Sequence, residues 1–265
     1  MKRKAILIES SNVLGENDLP GARIDIENWV RFLSSRIGGA WETDEIVILR
    51  KPSLSQLDYA LKQASERYCF LAFSGHGADG VVALNDFSKQ VPVSLLRPHG
   101  KKGVALIDSC RGKTETTKLD FGIQKHADTL NEAVANSVTL SAKEGRATNF
   151  SEKGAHTNEL VELVYGRIRF KAELEKADAG IVSMLSCSSG EAAGESRTAG
   201  GYYTSALLGA AVSFHTVTKG EGFFSTKEAH DYAVRIMPKQ QNPEYSPANR
   251  WFPFAIKVSS PKFAF

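Results

Sequence analysis

The sequence predicts an α/β fold: a single domain with a mostly parallel sheet of about six strands and helices on both of its faces. Two observations carry this prediction. Short apolar runs, typical of buried strands, alternate along the chain with longer segments of helical periodicity, and this alternation indicates βαβ units. The length of 265 residues suits one large domain, and no internal repeat or linker divides it.

The first half of the chain contains three predicted strands and two predicted helices. The first helix begins at Gly21 and ends before Gly38, with Ile26 and Trp29 on its apolar face. Ser53 is the predicted N-cap of the second helix. The strands are Ala5–Glu9, Glu45–Leu49 and Tyr68–Ser74, and the second helix covers Leu54–Tyr68.

The second half continues the alternation around two further buried strands. Val91–His99 is predicted as a short helix or loop, and Pro238–Arg250 as a loop rich in Pro, Asn and Gln. The strands are Gly103–Asp108, Gly180–Ser186 and an edge-like Trp251–Val258, and the helices are Asn158–Ala177, Tyr202–Phe214 and Thr226–Met237, the last capped by Ser225.

Composition excludes several classes of function. A net charge of +3, spread evenly, gives no basis for nucleic-acid or membrane binding. Three widely spaced cysteines predict a reducing, cytoplasmic environment without a disulfide framework. No CxxC or HxxxH pair occurs, so we expect no metal site and no cofactor.

Two of the predicted strands end in chemically functional residues. The strand Tyr68–Ser74 is followed by His76, and Gly103–Asp108 is followed by Cys110. If these strands are neighbours, the imidazole and the thiol leave the same edge of the sheet, where open α/β sheets place their active sites. Such a pair could act as base and nucleophile, with the amides of Gly77 and Cys110 facing a developing oxyanion.

The residues alone leave a structural role for Cys110 open, because a lone cysteine is often a small buried apolar residue. We assign that structural role to Cys69 and Cys187. The remaining histidines lack a comparable setting and are expected on the surface: His99, His126, His156, His215 and His230.

The motifs FSGHG and IDSCRG on successive strands resemble those of the caspase and metacaspase superfamily of cysteine peptidases. Three further segments agree with this resemblance: LPGARID (Leu19–Asp25), LSCSSGEAAGE followed by GYYTSALLGA, and QNPEY near the end. The resemblance implies one caspase-like domain over residues 1–265. It also implies a His76–Cys110 dyad.

The resemblance also implies a substrate preference. Caspases, which cleave after aspartate, carry a pocket arginine where this chain has Leu19. Metacaspases, which cleave after arginine or lysine, have aspartates matching Asp25 and Asp108 and a serine matching Ser74. A guanidinium or ammonium group would satisfy such carboxylates, so we expect protein or peptide substrates with Arg or Lys at the cleavage site.

Two glutamates, Glu191 and Glu195, are candidates to add acidity to that pocket. For Asp25 a simpler role also remains open, namely an acidic residue placed near a helix start by the helix dipole.

The chain departs from the family pattern in two places. His76 and Cys110 are 34 residues apart, against about 50 in caspases. Apart from Asp108, only Asp79 and Asp86 lie between them, which argues against the calcium dependence of some metacaspases. The polar segment 113–180 is expected to be a loop, insertion or processing segment between two subunit-like halves. Whether it is cut autocatalytically or acts as a lid stays open.

The resemblance to bacterial members of the superfamily also implies a cellular role. We expect a regulated effector in stress, cell death or antiviral defence, which stays inactive until a partner or a small-molecule signal arrives. Two rival functions stay open at this point. One is a catalytically silent scaffold with the same fold. The other is a ligand-sensing α/β domain.

Overall fold

The structure is a computed structural model that describes residues 1–88, 90–111 and 152–258, with side chains of the last range from residue 160 onward. Most of the predicted 113–180 segment (residues 113–151) lies outside the described residues, as do Gly112 and His126. The side chain of His156 is likewise outside them.

The described elements follow the predicted alternation. The helices are α1 (Pro20–Ser34), α2 (Leu54–Gln63), α3 (Glu152–Lys176), α4 (Tyr202–Val217) and α5 (Thr226–Ile236). The strands are β1 (Arg3–Ser10), β2 (Ile46–Arg50), β3 (Tyr68–Gly75), β4 (Gly77–Ala78), β5 (Val81–Val82), β6 (Val91–Pro92), β7 (Lys102–Asp108), β8 (Gly180–Leu185), β9 (Glu195–Ser196), β10 (Gly200–Gly201), β11 (Gly222–Ser225), β12 (Glu244–Ser246) and β13 (Pro253–Lys257).

The central sheet has six strands in the order β2-β1-β3-β7-β8-β12. The first five are parallel, and β12 pairs antiparallel with β8 at the edge. The predicted α/β class with a mostly parallel sheet of about six strands is therefore confirmed.

Alternating side chains of the central strands build two separate cores, one on each face of the sheet. Along β3, Phe70 and Ala72 face the larger core, whereas Leu71 and Phe73 face the smaller one. Helices α1, α3, α4 and α5 cover the larger core, and α2 covers the smaller one together with the chain around β5 and β6. Helices thus lie on both faces, as predicted. None of the described helices combines the length and apolar character needed to cross a membrane.

Both predicted N-caps are present. The Ser53 hydroxyl accepts a hydrogen bond from the Gln56 amide, and the Gln56 side chain accepts one from the Ser53 amide. Ser225 and Glu228 make the same reciprocal arrangement at the start of α5. These capping boxes satisfy amides that the first turn of a helix leaves unpaired, which explains where α2 and α5 begin.

The sixth strand of the sheet is not the one that the sequence predicts. The predicted edge strand Trp251–Val258 is observed as β13, but it pairs with β11 outside the central sheet. The edge strand is instead β12, inside the segment predicted as a loop. β12 has only three residues, two of them polar, and lies between Pro243 and Pro247, so it carries no strand pattern.

The segment Val91–His99 contains the short strand β6 and a 3₁₀ helix over Val93–Leu96. With β4 and β5, β6 forms a small antiparallel sheet directly after His76. The Ala83 amide donates to the His76 carbonyl at 2.9 Å, which ties the histidine backbone to this small sheet.

Candidate active site

The carboxyl ends of β3 and β7 lie side by side, as the argument from sequence required. The two strands are parallel neighbours, with Ser74 opposite Asp108. His76 and Cys110 each follow two residues beyond that pair. The imidazole and the thiol therefore leave the sheet at the same edge.

The His76 ring has a defined partner. Its Nε2 atom lies 2.6 Å from the carbonyl oxygen of Asn17, in the loop between β1 and α1. A carbonyl oxygen can only accept, so this contact assigns the hydrogen of the neutral ring to Nε2. The lone pair is then on Nδ1, which is the atom able to accept a proton.

The Cys110 thiol is partly exposed and donates a weak hydrogen bond to the Ala193 carbonyl, with Sγ and O 3.6 Å apart. Burial raises the pKa of this thiol above its usual value, and the negative fields of Asp108 and Glu195 raise it further, although the Ala193 contact acts in the opposite direction. The thiol is accordingly neutral in the structure.

Gly77 allows the loop after His76 to approach Ser109 and Cys110 closely. A Cβ atom at this position would lie 2.7 Å from Ser109 Oγ and 3.0 Å from the Cys110 carbonyl oxygen. Only glycine fits such an approach without displacing its neighbours. The oxyanion role of the Gly77 and Cys110 amides stays a prediction.

The structure brings Asp25, Ser74 and Asp108 together. The Ser74 hydroxyl donates to Asp25 Oδ2 at 2.6 Å, and the Gly201 amide donates to Asp25 Oδ1 at 2.8 Å. Asp108 Oδ2 accepts from the Thr204 hydroxyl at 2.7 Å and from the Thr204 amide at 3.1 Å. Both carboxylates are thus held at the amino end of α4, where the helix dipole favours negative charge.

A third acidic side chain, Glu195, lies close to this pair. A Cβ atom on Gly21 would come within 2.6 Å of Glu195 Oε2, so the carboxylate occupies the space that the missing side chain leaves. Burial and then the field of Asp108 raise the pKa of Glu195 to about 7. We call Asp25, Asp108 and Glu195 the acidic cluster.

Burial raises the pKa of both aspartates in the acidic cluster. Asp25, only 1% exposed, has its pKa held well above its usual value by burial and then by the charge of Asp108. Burial likewise raises the pKa of Asp108, although the hydrogen bonds from Thr204 oppose it. In the part of the chain that the structure describes, neither aspartate forms an ion pair with a cationic side chain. The two carboxylates are therefore buried and held by hydrogen bonds alone within the described ranges.

Glu191 is not part of the acidic cluster. Its carboxylate accepts from the Ser188 amide at 3.0 Å and from the Asn242 backbone and side-chain amides at 2.8 and 2.6 Å. Partial burial acts to raise its pKa, but these hydrogen bonds outweigh it and the pKa lies below the usual value. The Glu191 carboxylate thus joins the loops that contain Ser188 and Asn242. These contacts do not support the prediction that Glu191 adds acidity to the substrate pocket.

Arg111, directly after Cys110, connects the surrounding loops. Its guanidinium donates to Glu244 Oε2 at 2.7 Å, to the Cys187 carbonyl at 3.2 Å and to Asp79 Oδ1 at 3.3 Å. Its backbone also exchanges hydrogen bonds with Glu191 and Gly190. Asp79, one of the two aspartates weighed above as calcium ligands, is thus paired with Arg111.

Three further contacts at the candidate site could not be predicted from the sequence, because they involve backbone atoms or a polar residue outside any recognised motif. They are the Asn17 carbonyl, the Gly201 amide and the Thr204 side chain. The last two belong to GYYTSALLGA, whose family resemblance was the one available signal. Within the described ranges, no group of three or more His, Cys, Asp or Glu side chains is arranged to hold a metal ion.

The other cysteines and one histidine are buried. Burial raises the pKa of both Cys69 and Cys187 to about 12, which fits the structural role predicted for them. His230, expected on the surface, is only 7% exposed, and its Nδ1 lies 2.8 Å from the Tyr203 hydroxyl. The surface prediction was wrong here because His230 lies on the inward face of α5.

Comparison with known proteins agrees with the geometry. Residues 2–249 match the family model described as caspase domain. Among solved structures, caspase-1 from Spodoptera frugiperda is similar, with a TM-score of 0.53 and 11% identity over 94% of this chain and 90% of that chain. At this identity the likeness concerns the fold alone. A search of curated proteins found no match.

Proposed function

The chain belongs to the caspase domain family of cysteine peptidases, and on that premise we propose that it is an endopeptidase cleaving proteins after arginine or lysine. The observation that carries this proposal is the acidic cluster beside Cys110. Its two aspartates are buried, anchored by hydrogen bonds and without an ion-pair partner in the described part of the chain.

The chemistry that we propose uses His76 and Cys110 as a dyad. His76 Nδ1 takes the proton of the Cys110 thiol, and the sulfur forms a bond to the carbonyl carbon of the peptide. The carbonyl oxygen becomes an oxyanion beside the Gly77 and Cys110 amides. The C–N bond then breaks, and His76 returns its proton to the leaving amine. Water, deprotonated by His76, hydrolyses the remaining thioester and frees the thiol.

The specificity follows from electrostatics. Two or three carboxylates in a space of low polarity are unfavourable when charged and unpaired, as the raised pKa values of Asp25, Asp108 and Glu195 indicate. A guanidinium or ammonium group satisfies them, whereas an aspartate side chain would add a further negative charge. We therefore place the substrate side chain that precedes the scissile bond in the acidic cluster.

The entering cation also favours the reaction itself. Asp108 and Glu195 are among the groups that raise the pKa of Cys110. Neutralising them lowers that pKa, so the thiolate forms more readily when the correct side chain is bound.

For the cellular setting we propose a stress, cell-death or antiviral response, on the resemblance of the motifs to those of bacterial family members. In that setting the protein would await an activating partner or signal.

The test uses three fluorogenic peptides that differ only in the residue before the scissile bond: Arg, Lys or Asp. We expect turnover of the first two and none of the third, and loss of turnover in the Cys110→Ala and His76→Ala variants. Cys69→Ala is the matched control, because it removes a buried thiol that lies on β3, away from the site. Turnover that persists in Cys110→Ala, or a preference for Asp, would refute the proposal. A folded protein that binds the peptides without cleaving them would favour the silent scaffold.

A further inference from the structure

The hydroxyl group of Tyr202 is buried and has no hydrogen-bond partner in the part of the chain that the structure describes. Tyr202 is the first residue of α4 and only 7% exposed, and none of the described residues places an acceptor or donor within hydrogen-bonding reach of its oxygen. Buried polar groups are nearly always paired, because a phenol loses its hydrogen bonds to water on burial. A buried hydroxyl without a partner among the described residues is therefore available to bind a further group, such as a ligand.

The buried Tyr203 and the half-buried Tyr245 differ from Tyr202 in this respect. The Tyr203 hydroxyl, one residue later, is paired with His230 Nδ1 at 2.8 Å. The Tyr245 hydroxyl donates to the Arg250 carbonyl at 2.6 Å and is also close to Thr226 Oγ1. The hydroxyl groups of Tyr203 and Tyr245 are thus paired, whereas that of Tyr202 is not paired with any described residue.

The Tyr202 side chain lies beside the acidic cluster. The Tyr202 ring packs against Gly194, where any Cβ would collide with it, and the next residue along the chain is Glu195. The preceding residue, Gly201, donates its amide to Asp25. Burial and then the field of Glu195 raise the pKa of Tyr202 to about 12, so the group is a neutral phenol able to donate and to accept.

We propose that the Tyr202 hydroxyl is a substrate-binding group that accepts an N–H of a guanidinium and thereby selects arginine over lysine. The inference rests on the proposed function and specifies its substrate. A guanidinium has five N–H groups in a planar fork, whereas an ammonium has three at one point. An ammonium matches three partners in number, but its donors radiate from one nitrogen, whereas the planar fork of a guanidinium spreads its donors over three nitrogens and suits partners on different sides.

The experiment compares kcat/KM for matched Arg and Lys peptides in wild type, Tyr202→Phe and Tyr203→Phe. We expect wild type to prefer Arg, and Tyr202→Phe to lower kcat/KM about tenfold for Arg while leaving Lys within about twofold. Tyr203→Phe also loses one buried hydroxyl, but its Arg-to-Lys ratio should stay that of wild type. Because each ratio is internal to one variant, a smaller folded fraction cancels.

Binding of acetyl-arginine amide and acetyl-lysine amide, measured by calorimetry on the same three proteins, separates the two proposals. If wild type cleaves both peptides and Tyr202→Phe leaves the ratio unchanged, the role of Tyr202 is refuted and the proposed function stands. If wild type cleaves neither, yet binds acetyl-arginine amide more tightly than Tyr202→Phe does, the proposed reaction fails and the guanidinium site stands. Absence of any binding overturns the role of Tyr202.

Discussion

Replacing Asp108 by asparagine changes charge while preserving shape. Asp108 Oδ2 accepts two hydrogen bonds from Thr204, and the amide oxygen of asparagine can accept the same two. The variant therefore keeps the contact between β7 and α4 but removes one negative charge from the acidic cluster. Any change in activity then reports on electrostatics rather than on packing.

The expected loss is large because the substrate cation would be buried beside Asp108, which is 5% exposed. Removing one partner of a buried ion pair costs about 3–5 kcal/mol. At about 1.4 kcal/mol per tenfold change, kcat/KM for an Arg peptide should fall by a factor of roughly 10² to 10³. The lower end is the more realistic, since Asp25 remains.

The thiol should respond in the opposite direction. The charge of Asp108 raises the pKa of Cys110, so its removal lowers that pKa and increases the thiolate fraction at neutral pH. We expect Asp108→Asn to be alkylated by iodoacetamide faster than wild type while it cleaves the Arg peptide far more slowly. Because unfolding would also expose the thiol and abolish cleavage, these two effects are compared only on protein shown to be folded.

Stability provides the control for folding. Because burial raises the pKa of Asp108 in the folded state, the native protein binds more protons than the unfolded chain between the two pKa values, and wild-type stability falls as pH rises through that range. Asp108→Asn lacks this loss, so urea unfolding should show it to be more stable than wild type at pH 8. Unchanged cleavage of the Arg peptide by a stable Asp108→Asn protein would refute the placement of the substrate cation.

Two further predictions concern the same cluster. Gly201→Ala should lower both stability and cleavage, because a Cβ there would collide with Asp108 Oδ2 and lie 3.0 Å from Asp25 Oδ2. Gly190→Ala is the control for a glycine replacement in the same loop region, because a Cβ there meets no atom within 4 Å, although Gly190, unlike Gly201, has a positive φ that an alanine strains. Equal cleavage by the two variants would contradict the close approach at Gly201. Glu195 has a pKa raised to about 7, so it gains negative charge as pH rises from about 6 to about 8, and the inhibition constant of acetyl-arginine amide should fall over that range. Glu195→Gln should flatten this dependence, and an unaltered pH profile would show that Glu195 does not face the cation.

Much of the fold could be predicted because it depends on local patterns. The buried strands of the sheet centre are apolar on both sides, as Phe70–Phe73 illustrate, and such runs stand out in any sequence. Capping residues such as Ser53 and Ser225 mark helix starts through contacts within one turn. The edge strand β12 could not be predicted, since three residues between two prolines carry no periodic signal and pair only because β8 is already in place.

The sequence by itself determined the proposed reactive pair: a thiol and an imidazole at the ends of two apolar strands, in motifs that resemble one family. It also pointed to Asp25, Ser74 and Asp108, although they lie far apart in the chain. Only the tertiary structure decided which acidic residues meet. Glu195 packs against Gly21 beside the aspartates, whereas Glu191, four residues earlier, is bound to Asn242. The reason is physical: side-chain type is local information, but burial, partners and unpaired groups such as the Tyr202 hydroxyl depend on segments brought together by the fold.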